Sequence, residues 1–180
     1  SELTDDEILQ TVPVLRNDNP QMFWISNQYS YTVTPGKTSV QLFSWIAPEE
    51  AEQMREELWT AVGNILDGMN QEADVFNQEL YLYRSLAESC EFDNAAAENT
   101  AYWKAYTAYG AICGGDVVCE GYSRGMQLLL SCVGIPCRLV DGTAGGDRHM
   151  WNLVLLDGEW YHLDAAWSDY EVAPGYEYFN

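Results

Sequence analysis

The sequence is poor in positive charge, and lysine occurs only at Lys37 and Lys104. Eight lysines and arginines stand against 28 aspartates and glutamates in 180 residues, which gives a formal net charge of −20. Nucleic acids are bound by clustered Lys and Arg side chains that contact phosphates, and an anionic membrane surface attracts the same side chains. We therefore expect no nucleic-acid partner, and the acidity otherwise indicates only which ligands the surface repels.

The sequence also lacks the patterns of membrane insertion, secretion signals and common metal sites. No apolar run approaches the roughly 18 residues of a membrane-spanning helix, and no positively charged segment followed by an apolar run opens the chain. The five cysteines form no CxxC pair, which argues against zinc-ribbon and thioredoxin-like sites. We expect neither a metal nor another cofactor. The odd number of cysteines leaves at least one thiol without a disulfide partner within the chain.

Hydrophobic residues are abundant at 47%, enough to build a folded core. Near the N-terminus, Thr4 and Glu7 have the spacing of a capping box and predict a short first helix. Three β-rich segments bounded by turn residues then predict a small meander. These segments are residues 23–25, 29–33 and 39–43. We expect a boundary after them, with an N-terminal appendage at residues 1–46 and the main domain at residues 47–180.

The main domain has helical patterns first and strand patterns last, which indicates an α+β fold with an antiparallel sheet. Pro48 opens a long helix, and a third helix begins at Cys119 and ends before Gly134 and Pro136. The predicted elements are a helix at about 74–87, strands at 138–140, 149–156 and 159–167, and a glycine-rich loop at 141–148. Asp157 and Gly158 have the pattern of a two-residue hairpin turn between the last two strands.

Cys119 is the first candidate for a catalytic residue. A thiol at a helix N-terminus faces unpaired backbone N–H groups and the positive end of the helix dipole, and both favour the thiolate. The distant acidic residues are screened over about 8 Å at physiological ionic strength, so the local environment dominates. Taken alone, Cys119 fits a small buried residue at a helix start better than a nucleophile.

The predicted hairpin supplies a base and an acid for this thiol. Its register pairs His149 with Ala166 and Trp151 with Asp164, which makes His149 and Asp164 diagonal neighbours on one face of the sheet. A histidine oriented by a carboxylate is what the activation of a nucleophile requires. His162 shares that face and is the alternative base, but its aromatic surroundings favour a hydrogen-bonded structural role.

Three sequence blocks resemble those of the transglutaminase-like superfamily. Residues 108–137 resemble the cysteine block of its bacterial members, and residues 149–154 and 157–167 resemble the histidine and aspartate blocks. The resemblance implies a papain-like core in which a helix with the catalytic Cys119 at its N-terminus packs on the sheet. It also implies that Cys119 is the nucleophile, that His149 is the general base and then acid, and that Asp164 orients His149.

The resemblance further implies an enzyme that forms a thioester with a peptide or protein amide. We expect hydrolysis, with cell-wall peptides among the substrates, and the alternative acyl transfer is protein crosslinking. A peptide- or glycan-binding module without turnover and a metal site at the three residues are the other hypotheses. Residues 18–24 resemble leader regions of such proteins in Gram-positive bacteria, so we expect a secreted or cell-envelope location, without a signal segment in this sequence. The oligomeric state stays open.

Two structural details also stay open at the level of the sequence. The backbone N–H of Cys119 is the natural first donor to an oxyanion. A second donor would come from an aromatic residue upstream, and the sequence does not choose among Tyr102, Trp103, Tyr106 and Tyr109. The other cysteines are expected to be structural, and a disulfide between Cys132 and Cys137 is one alternative for two of them.

Overall fold

The computed structural model describes residues 3–99 and 101–170. Residues 171–180, the end of the predicted main domain, lie outside this part. The longer helices are α1 (Asp5–Asp18), α2 (Pro48–Asp67), α3 (Val75–Ser89) and α6 (Cys119–Cys132). The shorter ones are α4 (Asn94–Ala97), a 3-10 helix (Trp103–Tyr106), α5 (Ala108–Ile112) and α7 (Ala165–Tyr170). The strands are β1 (Ile25–Thr34), β2 (Lys37–Ser44), β3 (Cys137–Ala144), β4 (Asp147–Leu156) and β5 (Glu159–Leu163).

Helix α6 lies at the centre of the fold. It packs against α3, α5, α7 and the 3-10 helix, and against strands β3 and β4. Tyr122, Met126, Leu129 and Leu130 are fully buried in the core. Burial of apolar side chains stabilises the folded state by roughly 1.5–3 kcal/mol for each large residue, so the helix that begins at Cys119 is held by the core itself.

The strands form two antiparallel sheets, one of β1 and β2 and one in the order β3–β4–β5. Along β4, buried Met150, Asn152 and Val154 alternate with partly exposed residues, as expected for a strand with one covered face. His149 is buried as well, although it belongs to the other face. The combination of a central helix and antiparallel sheets confirms the predicted α+β class.

The hairpin between β4 and β5 has the predicted turn and register over part of its length. Asp157 and Gly158 have φ values of 49° and 89°, as the two central residues of a type I′ turn require. Leu156 pairs with Glu159 next to the turn, and the pairing continues without a shift to Asn152 with Leu163, which confirms the predicted register. The predicted continuation of the strand to residue 167 is wrong, because β5 ends at Leu163 and a helix follows.

Two other elements differ from the prediction. The expected loop at 141–148 is a hairpin, because β3 and β4 continue on both sides and leave only Gly145 and Gly146 as the turn. Their φ values of 62° and 100° suit glycine and match the twist of the strands. The expected meander at 23–43 is a two-stranded hairpin, since residues 23 and 24 form a turn that puts Phe23 in the core.

The predicted boundary at residues 46 and 47 falls between β2 and α2. Across it, Arg124 of α6 donates hydrogen bonds at 2.7 Å to the backbone oxygen of Arg16 and at 2.7 Å to Oδ1 of Asn17. Phe23 belongs to the same core cluster as α6. These contacts join the N-terminal segment to the helix that carries Cys119, and the division into two domains stays a prediction.

Candidate active site

Cys119 is the first residue of α6, after the N-cap residue Val118, which offers no side-chain cap. Among the described residues, the backbone N–H of Cys119 donates to no backbone oxygen, while that of Val118 donates to the backbone oxygen of Ala105 in the 3-10 helix at 3.1 Å. A Cβ on Gly121 would collide with the same Ala105 oxygen, so glycine there permits the close approach. The start of α6 is therefore fixed by the 3-10 helix, with its N–H groups free to act on Cys119.

His149 and Asp164 are in direct contact. Nε2 of His149 lies 2.6 Å from Oδ2 of Asp164, and both side chains are largely buried. Asp164 follows β5 directly, and its Oδ1 accepts a hydrogen bond of 3.2 Å from the backbone N–H of Trp167 in α7. The predicted pairing of Trp151 with Asp164 and of His149 with Ala166 is not formed. The carboxylate is held instead at the turn into α7, where Oδ1 accepts the hydrogen bond from the backbone and Oδ2 contacts the imidazole of His149.

Cys119 completes this arrangement. The pKa of His149 is raised to about 9, first by the hydrogen bond with Asp164 and then by a hydrogen-bonding interaction with the Cys119 side chain, against the opposing effect of burial. Because Nε2 is bound to Asp164, Nδ1 is the ring nitrogen left for the sulfur. The structure thus brings the three predicted residues together in the order Cys119, His149, Asp164.

Two tryptophans stand beside the imidazole. The ring of Trp151 is nearly parallel to that of His149, with 5.9 Å between centroids and an angle of 19°. Trp167 of α7 is 5.5 Å away at 33°. These contacts account for the burial of His149 on the outer face of the sheet. His162, the alternative base, accepts a hydrogen bond from Trp151 at 2.7 Å and is exposed.

The sulfur and the imidazole share one cleft. It is a cavity of about 750 Å³ bounded by the segment around α4 on one side and the β3–β4 hairpin on the other. Its charged lining residues are Glu98, Glu120, Asp141, Asp147 and Arg148. Four carboxylates and one guanidinium therefore face this space. Arg148 is bound by Asp141 through two hydrogen bonds of 3.1 and 2.7 Å, so its charge is largely compensated.

Of the four aromatic residues considered as oxyanion donors, Tyr106 is the one that lines the cleft. Its hydroxyl donates to the backbone oxygen of Ala96 at 2.6 Å, and burial together with nearby Glu120 raises its pKa. Trp103 stacks on Trp45, the hydroxyl of Tyr109 donates to Glu57, and Tyr102 is exposed.

Sequence reasoning missed the residues that connect α6 to β4. The hydroxyl of Ser123 lies 2.8 Å from the backbone oxygen of Cys119 and 2.9 Å from that of Met150. Asn152, which is buried, donates from Nδ2 to the backbone oxygen of Ser123 at 2.9 Å. Met150 is the neighbour of His149, so these bonds set the distance between helix and strand near the site. The available signal was an amide within the otherwise apolar run of β4, because buried amides need hydrogen-bond partners.

The other cysteines do not share the environment of Cys119. None of the five cysteines, all of which belong to the described residues, forms a disulfide, so the bridge between Cys132 and Cys137 is not formed. Burial raises the pKa of Cys113 to about 11 and that of Cys137 to about 12. Cys132 is exposed and its pKa is raised by desolvation. These thiols are suited to packing rather than to nucleophilic attack.

The described part of the chain has neither a cluster of metal ligands nor a membrane-spanning helix. Among residues 3–99 and 101–170, no group of three or more His, Cys, Asp or Glu side chains is arranged to hold a metal ion. No helix within the same ranges is long and apolar enough to span a membrane.

Comparisons with known proteins identify the superfamily and the fold. The profile of the Transglutaminase-like superfamily matches residues 63–165, more than half of the chain, and this range contains all three site residues. A crystal structure of a TGase superposes with a TM-score of 0.55 and 13% identity, over 92% of this chain and 48% of that one. The chain thus spans about half the length of that protein, and the likeness shows the fold alone. No curated protein sequence matches the chain. The predicted resemblance and papain-like fold class are confirmed.

Proposed function

The chain belongs to the transglutaminase-like superfamily, and from this membership and the geometry of the site we propose that it is a cysteine-dependent acyl-transfer enzyme. The superfamily includes acyltransferases and proteases that use cysteine. The observation that carries the proposal is the contact of Asp164 with Nε2 of His149, together with the position of Cys119 and His149 in the wall of one cleft. Such a chain of acid, base and thiol is the arrangement that activates a nucleophile.

The chemistry follows from the two ring nitrogens of His149. Nδ1 takes the proton of Cys119, and Asp164 stabilises the resulting imidazolium through Nε2. The thiolate adds to an amide carbonyl, and the backbone N–H of Cys119 stabilises the oxyanion. The imidazolium then gives its proton to the departing amine, which leaves a thioester on Cys119. A second nucleophile, deprotonated by His149, cleaves the thioester and restores the thiol.

We propose water as the second nucleophile and peptide or protein amides, including cell-wall peptides, as the substrates. The cleft is open and large enough for an extended peptide segment. A secreted or cell-envelope location belongs to the same proposal and is supported by the likeness of residues 18–24 to leader regions of such proteins.

Amine transfer is the second candidate, and the charge of the cleft favours it. Asp141 is paired with Arg148 and Glu120 with Arg124, so Glu98 and Asp147 supply the remaining negative charge of the cleft. These two carboxylates attract a primary amine, which is cationic before it reacts. A lysine side chain or a small polyamine is therefore a fitting acceptor. The same charge also suits hydrolysis of peptides rich in lysine or arginine, so the experiment has to separate the two reactions.

The nucleophile is tested by iodoacetamide labelling at pH 6, followed by peptide mass spectrometry. Cys119 is expected to react much faster than the other thiols, since an ordinary thiol with a pKa of roughly 8.5 is almost fully protonated at that pH. His149→Ala should slow the labelling of Cys119, while Cys132→Ala, which removes an exposed thiol, should leave it unchanged. Slow and uniform labelling of all accessible cysteines would contradict the proposal and favour a binding module.

The reaction is tested by incubation with a peptide library with and without an added primary amine. Hydrolysis predicts new carboxyl termini or deamidated side chains, which carry ¹⁸O in labelled water. Amine transfer predicts products heavier by the amine minus ammonia or minus the departing peptide. Cys119→Ala should abolish every product. A protein that binds peptides tightly and changes none of them would contradict an enzymatic function.

A further inference from the structure

The indole of Trp151 is fixed at both of its ends. On β5, its Nε1–H donates to Nδ1 of His162 at 2.7 Å. On β3, a Cβ added to Gly142 would lie 2.8 Å from Cη2 and 3.1 Å from Cζ3 of the same indole, so the ring rests on bare backbone. Gly142 pairs with His149 and His162 pairs with Leu153, which makes both of them diagonal neighbours of Trp151.

The fixed indole lies alongside the imidazole of His149. The two rings are 5.9 Å apart and close to parallel, at 19°. For the site to work, Nε2 has to stay on Asp164 while Nδ1 faces Cys119, and rotation of the imidazole about χ2 would break both contacts. A flat neighbour that cannot itself turn restricts this rotation. A free indole would not, because Trp can swing about its own χ2.

We propose that His162 and Gly142 hold Trp151 in place, and that Trp151 in turn keeps the imidazole of His149 aligned between Asp164 and Cys119. This inference rests on the function proposed above. In it, His162 is a positioning residue and not a second base. It is exposed and does not line the cleft. Its Nδ1 is occupied as an acceptor, since the indole N–H can only donate.

The acceptor role of His162 is tested with two replacements. Asn places its Oδ1 close to where Nδ1 of His stands, whereas Leu offers no acceptor. The rate constant for iodoacetamide labelling of Cys119 at pH 7 is expected to fall about 3- to 10-fold in His162→Leu, since a net hydrogen bond of about 1 kcal/mol corresponds to a factor of that size. In His162→Asn it should recover to within about 2-fold of wild type. Tyr161→Phe, next along β5, is the matched control and should leave the rate unchanged.

The opposite end of the indole gives an independent variant. Gly142 does not have a positive φ, so Gly142→Ala acts by pushing the ring of Trp151 rather than by straining the backbone. It should lower the labelling rate by a similar factor. The double variant Gly142→Ala/His162→Leu should be little slower than either single variant, because both remove the same constraint. Independent, multiplicative effects would overturn the proposal.

The chain has only two histidines, so NMR of the imidazole nitrogens reports on both without relying on activity. The wild type should show Nδ1 of His162 unprotonated, and His162→Leu should broaden or shift the ring signals of His149. Unchanged His149 signals together with an unchanged labelling rate would overturn the inference, as would an Asn variant that behaves like Leu. If Cys119 of the wild type is unreactive while the signals behave as expected, the proposed function fails and the positioning contact stands.

Discussion

The two antiparallel sheets of this protein differ in what covers them. In the sheet of β1 and β2, large apolar side chains of both strands are exposed, namely Tyr31, Val33, Leu42 and Phe43. In the sheet of β3, β4 and β5, helix α6 packs on β3 and β4, and Val154 and Leu163 are fully buried, while Trp160 and Tyr161 of the edge strand β5 are exposed. The register of the covered sheet is continuous, whereas that of the first sheet shifts between Ile25 and Tyr29.

Burial is what fixes a register, because a slip by one residue would move the apolar side chains to the wrong face. The covered sheet therefore holds His149 at hydrogen-bonding distance from Asp164 and within reach of Cys119. An isolated two-stranded ribbon has little stability of its own and offers no such precision. The comparison predicts that changes in the covered sheet alter both stability and reactivity, while equivalent changes in the exposed sheet alter neither by much.

The largest effect is expected from His149 on the covered sheet and from Asp164, which directly follows its last strand. His149→Ala or Asp164→Asn should lower the turnover by Cys119 by about 10²-fold or more, because each removes the base or the group that orients it. Val33→Ala, on the exposed sheet, should leave turnover unchanged. The measurement is kcat/KM with the best substrate found in the peptide library. A similar loss in Val33→Ala would indicate that the exposed sheet contributes to the site.

The same substitution in the two sheets gives the next largest contrast. Leu163→Ala removes a fully buried side chain and should reduce the free energy of unfolding by about 2–5 kcal/mol. Leu42→Ala, whose side chain is 38% exposed, should cost less than about 1 kcal/mol. Denaturant unfolding of both variants checks the difference. Equal losses would show that the first sheet is buried in solution.

The stability of the covered sheet should also depend on pH through His149. Its folded-state pKa of about 9 exceeds the ordinary value of 6.5, so the native state holds the proton more tightly. The stabilisation is complete below about pH 6.5 and is lost as the pH rises through about 9, with a size of about 1–2 kcal/mol. Asp164→Asn removes the main cause of the raised His149 pKa, so the free energy of unfolding of this variant should depend less on pH between about 6.5 and 9. A wild-type stability that rises between pH 7 and 9 would contradict the account.

The smallest contrast concerns the two glycine turns. Gly36 and Gly145 both have positive φ, at 75° and 62°, so alanine at either position should cost about 1 kcal/mol. Gly145 lines the cleft, whereas Gly36 connects β1 and β2. Gly145→Ala should therefore also change the rate of Cys119 labelling, by about 2-fold if the turn shifts by a fraction of an ångström. Equal labelling rates in the two variants would show that the tip of the β3–β4 hairpin does not affect the reactivity of Cys119.

The sequence predicted those parts of the fold that depend on local signals. The end of α6 before Gly134, the turn at Asp157 and Gly158, and the register beside that turn follow from helix stop signals, turn chemistry and alternation, and the structure confirms them. For the glycine pair at 145 and 146 the prediction is a loop, whereas the structure has a two-residue turn between β3 and β4. Glycine-rich segments fit loops and type I′ turns equally well, so local composition did not reveal that β3 and β4 extend to the turn.

The position of Asp164 shows why a correct set of residues can follow from a partly wrong structure. Strand alternation placed His149 and Asp164 on one face, yet Asp164 lies beyond β5, where its side chain accepts from Trp167. An aspartate before Ala165 and Ala166 is also a helix-capping pattern, and the extended interpretation ignored it. The bonds of Ser123 and Asn152 join α6 to β4, which are distant in the sequence. No local signal predicts which partners such side chains have.

The central claim is that folding places the imidazole of His149 between a carboxylate and a thiol. Its most direct test is an NMR titration of the His149 ring in the intact chain, with His162→Asn as an assignment aid. The account predicts a pKa of about 9 in the wild type and a marked fall toward 6.5 in Asp164→Asn. A wild-type His149 that titrates near 6.5 and does not respond to Asp164→Asn would contradict it.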